Sequence, residues 1–437
     1  MVKQLVFAIT LLATIGIFSF TINRILNYFR FTRPAFQVRH FNQRIWLTLN
    51  VAIGQTKIFR RPVMGFFHAL VFWGFCVIAF GSIEMIIDGL FGTERCLKFL
   101  GPVYDVITAS GDIFGLLVGI SIIIFLVRRV FFHIKRFEGI EMKSVSHLDA
   151  NIALGMILFL MLSLLGMNMA YYAGMGGTGL EGVYPVSRLL SGIFSGMPAA
   201  PIDLIYEICW WSHILLIFVF ANVLPYSKHF HVFMSIPNVF LSRLEPLGHL
   251  PNMDDITREV QLMLNPDANF ATPPSDAPVG RFGIRDAEDV TWKNYLDSLA
   301  CTECGRCTAV CPANLTGKRL SPRKIIMDVR ARMKEKGPGM VRKGKEFSDN
   351  KSLVRDYISE EELWACTTCN ACARECPINI NHPVLIVDMR RYLVMEEASA
   401  PGGIKGVFSN IENNGAPWQF SPEDRLRWAQ DIELHIN

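Results

Sequence analysis

This sequence is poor in both charge and cysteine over its first half. Of its 437 residues, 19% are charged and 51% are hydrophobic. That balance is too apolar for an ordinary soluble protein and too charged for a chain lying wholly in lipid. The net charge is only +4, and no basic, aromatic-rich groove is evident, which argues against a nucleic-acid partner. Eight of the 11 cysteines follow residue 232, so we expect two units, one in lipid and one in water.

Long apolar runs occupy the first unit. Five stretches, at roughly 4–27, 63–88, 105–130, 150–172 and 203–226, reach the ~20 residues that a bilayer span requires. The first stretch has no small-residue cleavage site before "NRILNYFRF", so we expect a retained helix and not a removed signal peptide. The sequence therefore predicts five transmembrane helices.

The distribution of Lys and Arg predicts the orientation of these helices. Two loops are basic, and they contain Arg30, Arg33, Arg39, Arg44, Lys57, Arg60 and Arg61 in the first and Lys135, Arg136 and Lys143 in the second. The alternate loops hold few basic residues, and basic loops tend to remain in the cytoplasm. We therefore expect a multi-pass protein of the bacterial inner (cytoplasmic) membrane, with its N-terminus outside and the cysteine-rich unit in the reducing cytoplasm.

The second unit contains one phrase twice: "CTECGRCTAVCP" from Cys301 and "CTTCNACARECP" from Cys366. Each copy has cysteine spacings of two, two and three and ends in proline, which is the bacterial ferredoxin pattern for a cubane cluster, in which the fourth cysteine serves the other cluster. A structural zinc module is the alternative, but zinc sites usually use two separated Cys-x-x-Cys pairs. The pattern predicts two [4Fe–4S] clusters with exchanged ligands, the first held by Cys301, Cys304, Cys307 and Cys376. The second would be held by Cys366, Cys369, Cys372 and Cys311.

Helices are expected around these loops. "SPRKIIMDVRARMKEK" has Ser321 as a potential N-cap and Pro322 at the first helical position, and "HPVLIVDMRRYLVMEE" has a similar pattern. The cysteine-rich unit should therefore be mainly α-helical. The other cysteines, Cys76, Cys96 and Cys209, lie in or near the spans and have no ligand spacing.

Three histidines lie in apolar surroundings, where an unused imidazole is unfavourable: His68, His213 and His231. The 18 residues between His213 and His231 are five turns of a helix, so a continuous fifth helix would place both on one side, up to ~27 Å apart. His229 would then face away. His68 and His231 should lie at a similar depth, which predicts one b-type haem with two histidine ligands. Deeper in the membrane, a histidine partner for His213 on the second helix would fall near position 78. The chain has Ile78 there, so His213 lacks such a partner. Three alternatives follow: the second haem is absent, it uses another ligand, or His213 pairs with His68 instead.

Residues 1–245 resemble the five-helix cytochrome b subunit of respiratory nitrate reductase, most closely in "SHILLIFVFANVLPYSKHFHVFMSIPNVFLSR". The resemblance implies haem ligands at His68, His213 and His231. It also implies a fourth ligand at position 78, from which this sequence departs.

Residues 280–431 resemble the iron–sulfur domain of the heterodisulfide-reductase family, from "FGIRDAEDVTWKNYLDSLACTECGRC" to "NNGAPWQFSPEDRLRWA". In fused relatives, among them electron-transfer-flavoprotein:menaquinone oxidoreductases, a cysteine-rich CCG domain follows. The resemblance implies that such a domain would here be a separate subunit. It divides the chain into a transmembrane cytochrome b-like domain (1–231), a linker (232–280), a 2[4Fe–4S] domain (281–395) and a C-terminal extension (396–437) that could dock a CCG-domain protein.

Together these features predict a membrane-anchored electron-transfer subunit, part of a quinone-linked oxidoreductase. Electrons would pass between a cytoplasmic partner (an electron-transfer flavoprotein or a CCG-domain iron–sulfur subunit), two clusters, haem b, and menaquinone or another quinone in the lipid. Glu84, Asp88, Asp105 and Asp112, at the outer ends of helices two and three, are candidates for a proton route. The alternative is a membrane-bound redox sensor or scaffold whose clusters do not turn over.

Overall fold

The computed structural model describes residues 2–177, 179–265 and 281–430 of the chain. Within these ranges the secondary structure is helical, and β-structure is limited to two isolated bridges, Arg33 with Thr291 and Val354 with Ile358. Parts of the predicted linker (266–280) and of the predicted C-terminal extension (431–437) lie outside the described residues. The predicted all-α class is confirmed.

The first half forms nine helices in its described part: α1 (Val2–Phe29), α2 (Phe41–Thr48), α3 (Pro62–Phe91), α4 (Pro102–Phe131), α5 (Ser144–Gly174), α6 (Pro185–Leu190), α7 (Ala199–Val223), α8 (His231–Phe240) and α9 (Asp254–Leu264). Five of them, α1, α3, α4, α5 and α7, are long and apolar enough to cross a membrane. They coincide with the five predicted spans.

Proline and glycine set the ends of the spans. Pro62 and Pro102 occupy the first positions of α3 and α4, where the missing N–H has no intrahelical partner to lose. Gly92 ends α3 at φ 70°, a left-handed conformation that glycine adopts without strain.

Large apolar side chains such as Leu12, Phe80 and Phe159 are more than half exposed on the bundle surface. Exposed apolar area costs about 25 cal/mol per Å² in water, so this surface belongs in lipid.

Inside the bundle, α5 packs against α4 and α7, α3 packs against α4, and α1 packs against α3 and α7. Aromatic contacts join α1 to α7, where Phe7 lies 5.8 Å from the ring centroids of both Trp210 and Phe218. The odd number of spans places the end of α7 and the start of α3 at the same side of the bundle.

The fifth span is not a continuous helix as far as His231, so that premise of the sequence analysis was wrong. The α7 helix ends at Val223, two short 3₁₀ turns follow, and His231 is the first residue of α8. Pro225 cannot donate to the helical ladder, and the hydroxyl of Ser227 caps the next turn by accepting from the His229 amide. His213 and His231 therefore lie on different helices.

The second half forms α10 (Trp292–Ala300), α11 (Arg306–Ala309), α12 (Pro312–Leu315), α13 (Pro322–Lys343), α14 (Glu360–Trp364), α15 (Ala371–Glu375), α16 (His382–Met395) and α17 (Gly402–Asn414). Both helices predicted around the cysteine loops are confirmed as α13 and α16. The Ser321 side chain accepts a hydrogen bond from the Lys324 amide, as an N-cap should.

The two halves share a buried hydrophobic core. Ile25 and Tyr28 at the end of α1 belong to the same cluster of buried residues as the dicluster helices. Gly337 of α13 provides the space for this contact, because a Cβ there would lie 2.8 Å from the Tyr28 ring. Arg33 bonds to Asp289 at 2.6 Å, and α8 packs on α10. The side of the bundle that carries both basic loops therefore holds the cysteine-rich unit, and we call it the cluster side.

Candidate functional site

The two cysteine loops have the same backbone geometry. Glu303 and Thr368, each preceding the second cysteine of its loop, have φ of 57° and 53°. Gly305 and Asn370, each following that cysteine, have φ of 71° and 59°. Alternating left-handed residues curl the chain so that three cysteines converge on one point. The repeat seen in the sequence is thus also a repeat in conformation.

The fourth cysteine of each loop lies with the other loop. Cys311 lines a small cavity with Cys366, Cys369 and Cys372, closed on its apolar side by Leu320 and Ile386. In the other set, Cys376 lies within electrostatic range of Cys301 and Cys304, and Cys307 within range of all three. Cys307 is also within range of Cys372, so the two sets are adjacent.

The chemistry of these thiols fits an iron–sulfur cluster at each set. Burial raises the pKa of Cys301 to about 11 and that of Cys376 and Cys372 to about 12. Thiols with such pKa values are neutral at pH 7, and only a strongly positive partner such as iron would convert a group of four into thiolates. All eight cysteines are free, and Cys369 is the exposed member.

Each predicted histidine ligand has its Nδ1 atom already bonded. His68 Nδ1 is 3.1 Å from Gln55 Oε1, and His231 Nδ1 is 3.2 Å from the Lys228 carbonyl oxygen. His213 Nδ1 lies 3.0 Å from the Leu160 carbonyl oxygen, and burial of this ring is nearly complete. A carbonyl oxygen can only accept, so Nδ1 donates and the lone pair is on Nε2. Among the described residues no hydrogen bond reaches Nε2 of any of the three, which is the state in which imidazole binds a metal.

His68 and His231 lie within electrostatic range of each other, across the start of α3 and α8. His68 is also within range of Arg306, which lies between Cys304 and Cys307. His229 does not point away as helical spacing predicted, because its ring centroid is 5.9 Å from that of His231. The 3₁₀ turns before α8 bring these two rings together, and only the break at Pro225 could have indicated it.

His213 lies elsewhere, in the middle of α7 and beside Leu160 and Ser163 in the middle of α5. It lines a cavity of about 580 Å³ with Ile78, Glu84 and Tyr206. No second histidine lines this cavity among the described residues. The structure thus places His213 and position 78 at one site and does not bring His213 to His68.

Of the four carboxylates proposed for a proton route, Glu84, Asp88 and Asp112 line this cavity, while Asp105 is exposed on α4. Asp112 accepts from the amides of Val186 and Ser187 at the start of α6, so its role is structural. Glu84 accepts from the Tyr104 hydroxyl at 3.1 Å and from the Leu97 amide at 3.0 Å.

The sequence analysis missed the hydrogen-bonded chain beyond Glu84. The Arg95 guanidinium bonds Tyr104 at 3.3 Å and also Tyr184, and it stacks 3.6 Å from the Tyr171 ring centroid. Glu84 is therefore connected to groups near the end of the bundle. These residues are far apart in sequence, and no local pattern marks them.

Comparison with known proteins agrees with this geometry. A family model for 4Fe-4S dicluster domains matches residues 300–380. The chain is 30% identical to the probable iron-sulfur-binding oxidoreductase FadF of Bacillus subtilis, over 99% of this chain and 62% of the relative. It is 27% identical to EtfAB:quinone oxidoreductase of Syntrophomonas wolfei, over 89% of this chain and 54% of the relative.

A third relative is similar only in the second half. This relative is one subunit of the ferredoxin/F420H2-dependent CoB-CoM heterodisulfide reductase from Methanosarcina acetivorans. It is 35% identical over 24% of this chain and 52% of its own length. No solved structure matches. The chain thus spans about 62% and 54% of the two relatives that it matches along most of its length. The chain therefore combines five helices that are long and apolar enough to cross a membrane with a match to 4Fe-4S dicluster domains at residues 300–380, as predicted, and along most of its length it is similar to an iron–sulfur oxidoreductase.

Proposed function

We propose that this protein relays electrons between a cytoplasmic redox partner and the membrane quinone pool. The observation that carries the proposal is the serial arrangement of its sites. The two cysteine sets are adjacent, the first set adjoins His68 through Arg306, and His213 lies further along the bundle at a separate cavity. Iron–sulfur clusters and haem carry single electrons when bound.

For the clusters, we assign Cys301, Cys304, Cys307 and Cys376 to one [4Fe–4S] site and Cys366, Cys369, Cys372 and Cys311 to the other. The ligand exchange is supported by the cavity that Cys311 shares with the second loop. The left-handed residues of each loop orient the thiols, five of which are buried, while Cys304 and Cys366 are half-buried and Cys369 is exposed.

For haem b, we assign His68 and His231 as the two ligands. Gln55 and the Lys228 carbonyl hold their Nδ1 protons, which directs both Nε2 lone pairs away from these anchors. We thus propose one haem b for each protein chain.

For the quinone, we propose the cavity at His213. Its lining combines apolar side chains such as Ile78 and Met167 with polar ones, and it offers an imidazole and the Glu84 carboxyl group for a quinone oxygen and its proton. The Leu160 carbonyl and the Ser163 hydroxyl, each 3.0 Å from Nδ1, orient the imidazole.

For topology and partners, we propose the bacterial inner membrane with the cluster side in the cytoplasm, as the basic loops predict. The electron donor would be an electron-transfer flavoprotein or a CCG-domain iron–sulfur protein, in line with the name of the Syntrophomonas relative. A docking site is proposed at residues 396–430, where Ile411, Trp418 and Trp428 are more than half exposed and α17 buries no residue.

Anaerobic purification of the full chain tests the proposal. We expect about eight non-haem irons with equivalent acid-labile sulfide, plus a b-type absorption band that dithionite reduces and a water-soluble menaquinone analogue reoxidises. Far fewer than eight irons, or a reduced band that the quinone analogue leaves unchanged, would contradict the relay. A redox sensor without turnover would show a reduced b-type band that the quinone analogue leaves unchanged.

A further inference from the structure

We infer that Lys57, Arg136 and Arg306 raise the reduction potential at the first cysteine set above that at the second, which makes the first set the exit towards the membrane. This inference rests on the cluster assignment of the proposed function. The three side chains come from the α2–α3 segment, the α4–α5 loop and the first cysteine loop, so folding brings them to one place.

Arg136 is the most informative of the three. Its Nε and Nη1 atoms are buried and have no hydrogen-bond partner. Leaving two buried guanidinium donors unpaired is costly, which indicates that they face an acceptor other than a protein group. The charge on Arg136 interacts most strongly with Cys304 among the groups that surround it. Sulfur atoms at the first set would provide the missing acceptor.

The backbone of Arg136 is fixed against the first cysteine loop. Gly305 lies so close that a Cβ there would be 2.2 Å from the Arg136 carbonyl oxygen. The same oxygen accepts from Arg323 Nη1 at 2.7 Å. The Arg136 backbone is therefore held against the first cysteine loop. Its side chain supplies a positive charge at a fixed place.

Lys57 and Arg306 add two more charges. Lys57 Nζ donates to the carbonyl oxygen of Cys376 at 3.2 Å, and burial lowers the pKa of this lysine while Cys376 opposes that effect. Arg306 is buried and donates to the Lys57 carbonyl oxygen at 3.0 Å, and it interacts with Cys304 and Cys376. Lys57 thus contacts the first set from the α2–α3 segment, and Arg306 belongs to the first cysteine loop itself.

Nearby carboxylates leave most of this charge unbalanced. Glu303 is already paired with Arg330 and lies 3.3 Å from Lys228, so those three groups form their own cluster. Glu375 is the acidic group that interacts with Lys57 and Arg306, and its nearest cations are Arg60 and Arg61, at 3.9 and 3.7 Å. One carboxylate thus faces several cations.

The second set has a different environment. Arg390 is the cation that interacts most strongly with Cys366, and its guanidinium donates to the Cys366 and Leu363 carbonyl oxygens. It also stacks 4.9 Å from the Trp364 ring centroid. All of its contacts are therefore to backbone or to a ring, and Cys369 is open to solvent.

Charge decides the order of the two potentials. Four thiolates give a [4Fe–4S] site a net negative charge that increases by one on reduction, so nearby cations and N–H donors favour the reduced state. Water at exposed Cys369 and half-buried Cys366 acts in the same direction on the second set, and half-buried Cys304 gives the first set part of the same exposure. Three fixed cations should outweigh it. Transfer from the second set to the first moves one electron, breaks no bond and needs no proton.

A potentiometric titration followed by EPR tests this on the full chain in detergent, prepared anaerobically. Arg136→Gln should lower the potential of the higher-potential signal, by about a tenfold change in the reduction equilibrium, which is 59 mV for one electron. Arg390→Gln is the matched control and should lower only the other signal. Arg136→Lys keeps the charge and should restore most of the shift. Cys369→Ser identifies the second-set signal.

Two results of Arg136→Gln would overturn the inference: a shift of the Cys369-dependent signal, or no shift of either signal. A higher potential of the Cys369-dependent signal in the unmodified protein would also overturn it. Iron analysis of each variant keeps the result interpretable, because about eight irons must be retained. Absence of the irons in the unmodified protein would refute the proposed function instead, so the two failures can be told apart.

Discussion

Arg323 of the cysteine-rich unit and Glu141 of the α4–α5 loop form a buried ion pair across the two halves, with Nη2 and Oε1 2.7 Å apart. Glu141 also accepts from the Ser321 hydroxyl at 2.6 Å, and Arg323 donates to the Arg136 and Glu138 carbonyl oxygens. The Nε, Nη1 and Nη2 atoms of Arg323 thus each have an acceptor inside the protein. The dicluster unit is therefore held against the membrane unit by specific contacts, as a fixed electron path requires.

Removing Glu141 should loosen this junction. Glu141→Ala leaves the buried Arg323 charge unpaired, and breaking one side of a buried pair typically costs 3–5 kcal/mol, here about 3. We expect a lower thermal transition of the full chain in detergent and faster proteolysis at the α4–α5 loop. Glu138→Ala is the control, since that side chain is more than half exposed and pairs with exposed His133. Equal effects of both variants would contradict the role of the pair.

The ligand exchange predicts a crossed pattern of damage. Cys376→Ser should remove or alter the EPR signal that depends on Cys301, because these two cysteines belong to one set. Cys311→Ser should instead affect the signal that depends on Cys366. Cys76→Ser, in a span and away from both sets, should change neither. Loss of the Cys366-dependent signal in Cys376→Ser would refute the exchange.

The haem assignment predicts a shared loss. His68→Ala and His231→Ala should abolish the same b-type absorption band, since each ligand is necessary for a low-spin bis-histidine site. His229→Ala is a demanding control, because its ring is 5.9 Å from that of His231. If His229→Ala abolishes the band while His231→Ala retains it, the ligand is the neighbouring histidine and the assignment is wrong.

The quinone site predicts a defect that spares the other cofactors. His213→Leu should slow reoxidation by a menaquinone analogue at least about tenfold, the effect of losing one buried hydrogen bond or more. Glu84→Gln should slow it by about 100-fold if this carboxyl group carries the proton. Asp105→Asn, exposed at the same end of the bundle, is the control. Iron content and the b-type band should be unchanged in all three, and normal reoxidation in both test variants would exclude the cavity.

The local features of the chain were predictable from its sequence. Apolar runs of sufficient length indicated all five spans, because a helix surrounded by lipid hydrocarbon is stable only when its surface is apolar on every side. Ser321 and Pro322 indicated the start of α13, because a cap and a first-turn proline act through neighbouring backbone atoms. The helical continuity of His213 with His231 was predicted wrongly, since Pro225 ends the ladder before His231 is reached.

What the sequence by itself determined is the number of spans, the two cysteine loops and the identity of the histidines, because each depends on residues close together along the chain. Only the tertiary structure decided that Ile78 shares a cavity with His213 and that Arg136 carries unpaired donors beside Cys304. These relationships join residues from distant segments. They arise from packing between helices, which no local pattern of residues specifies.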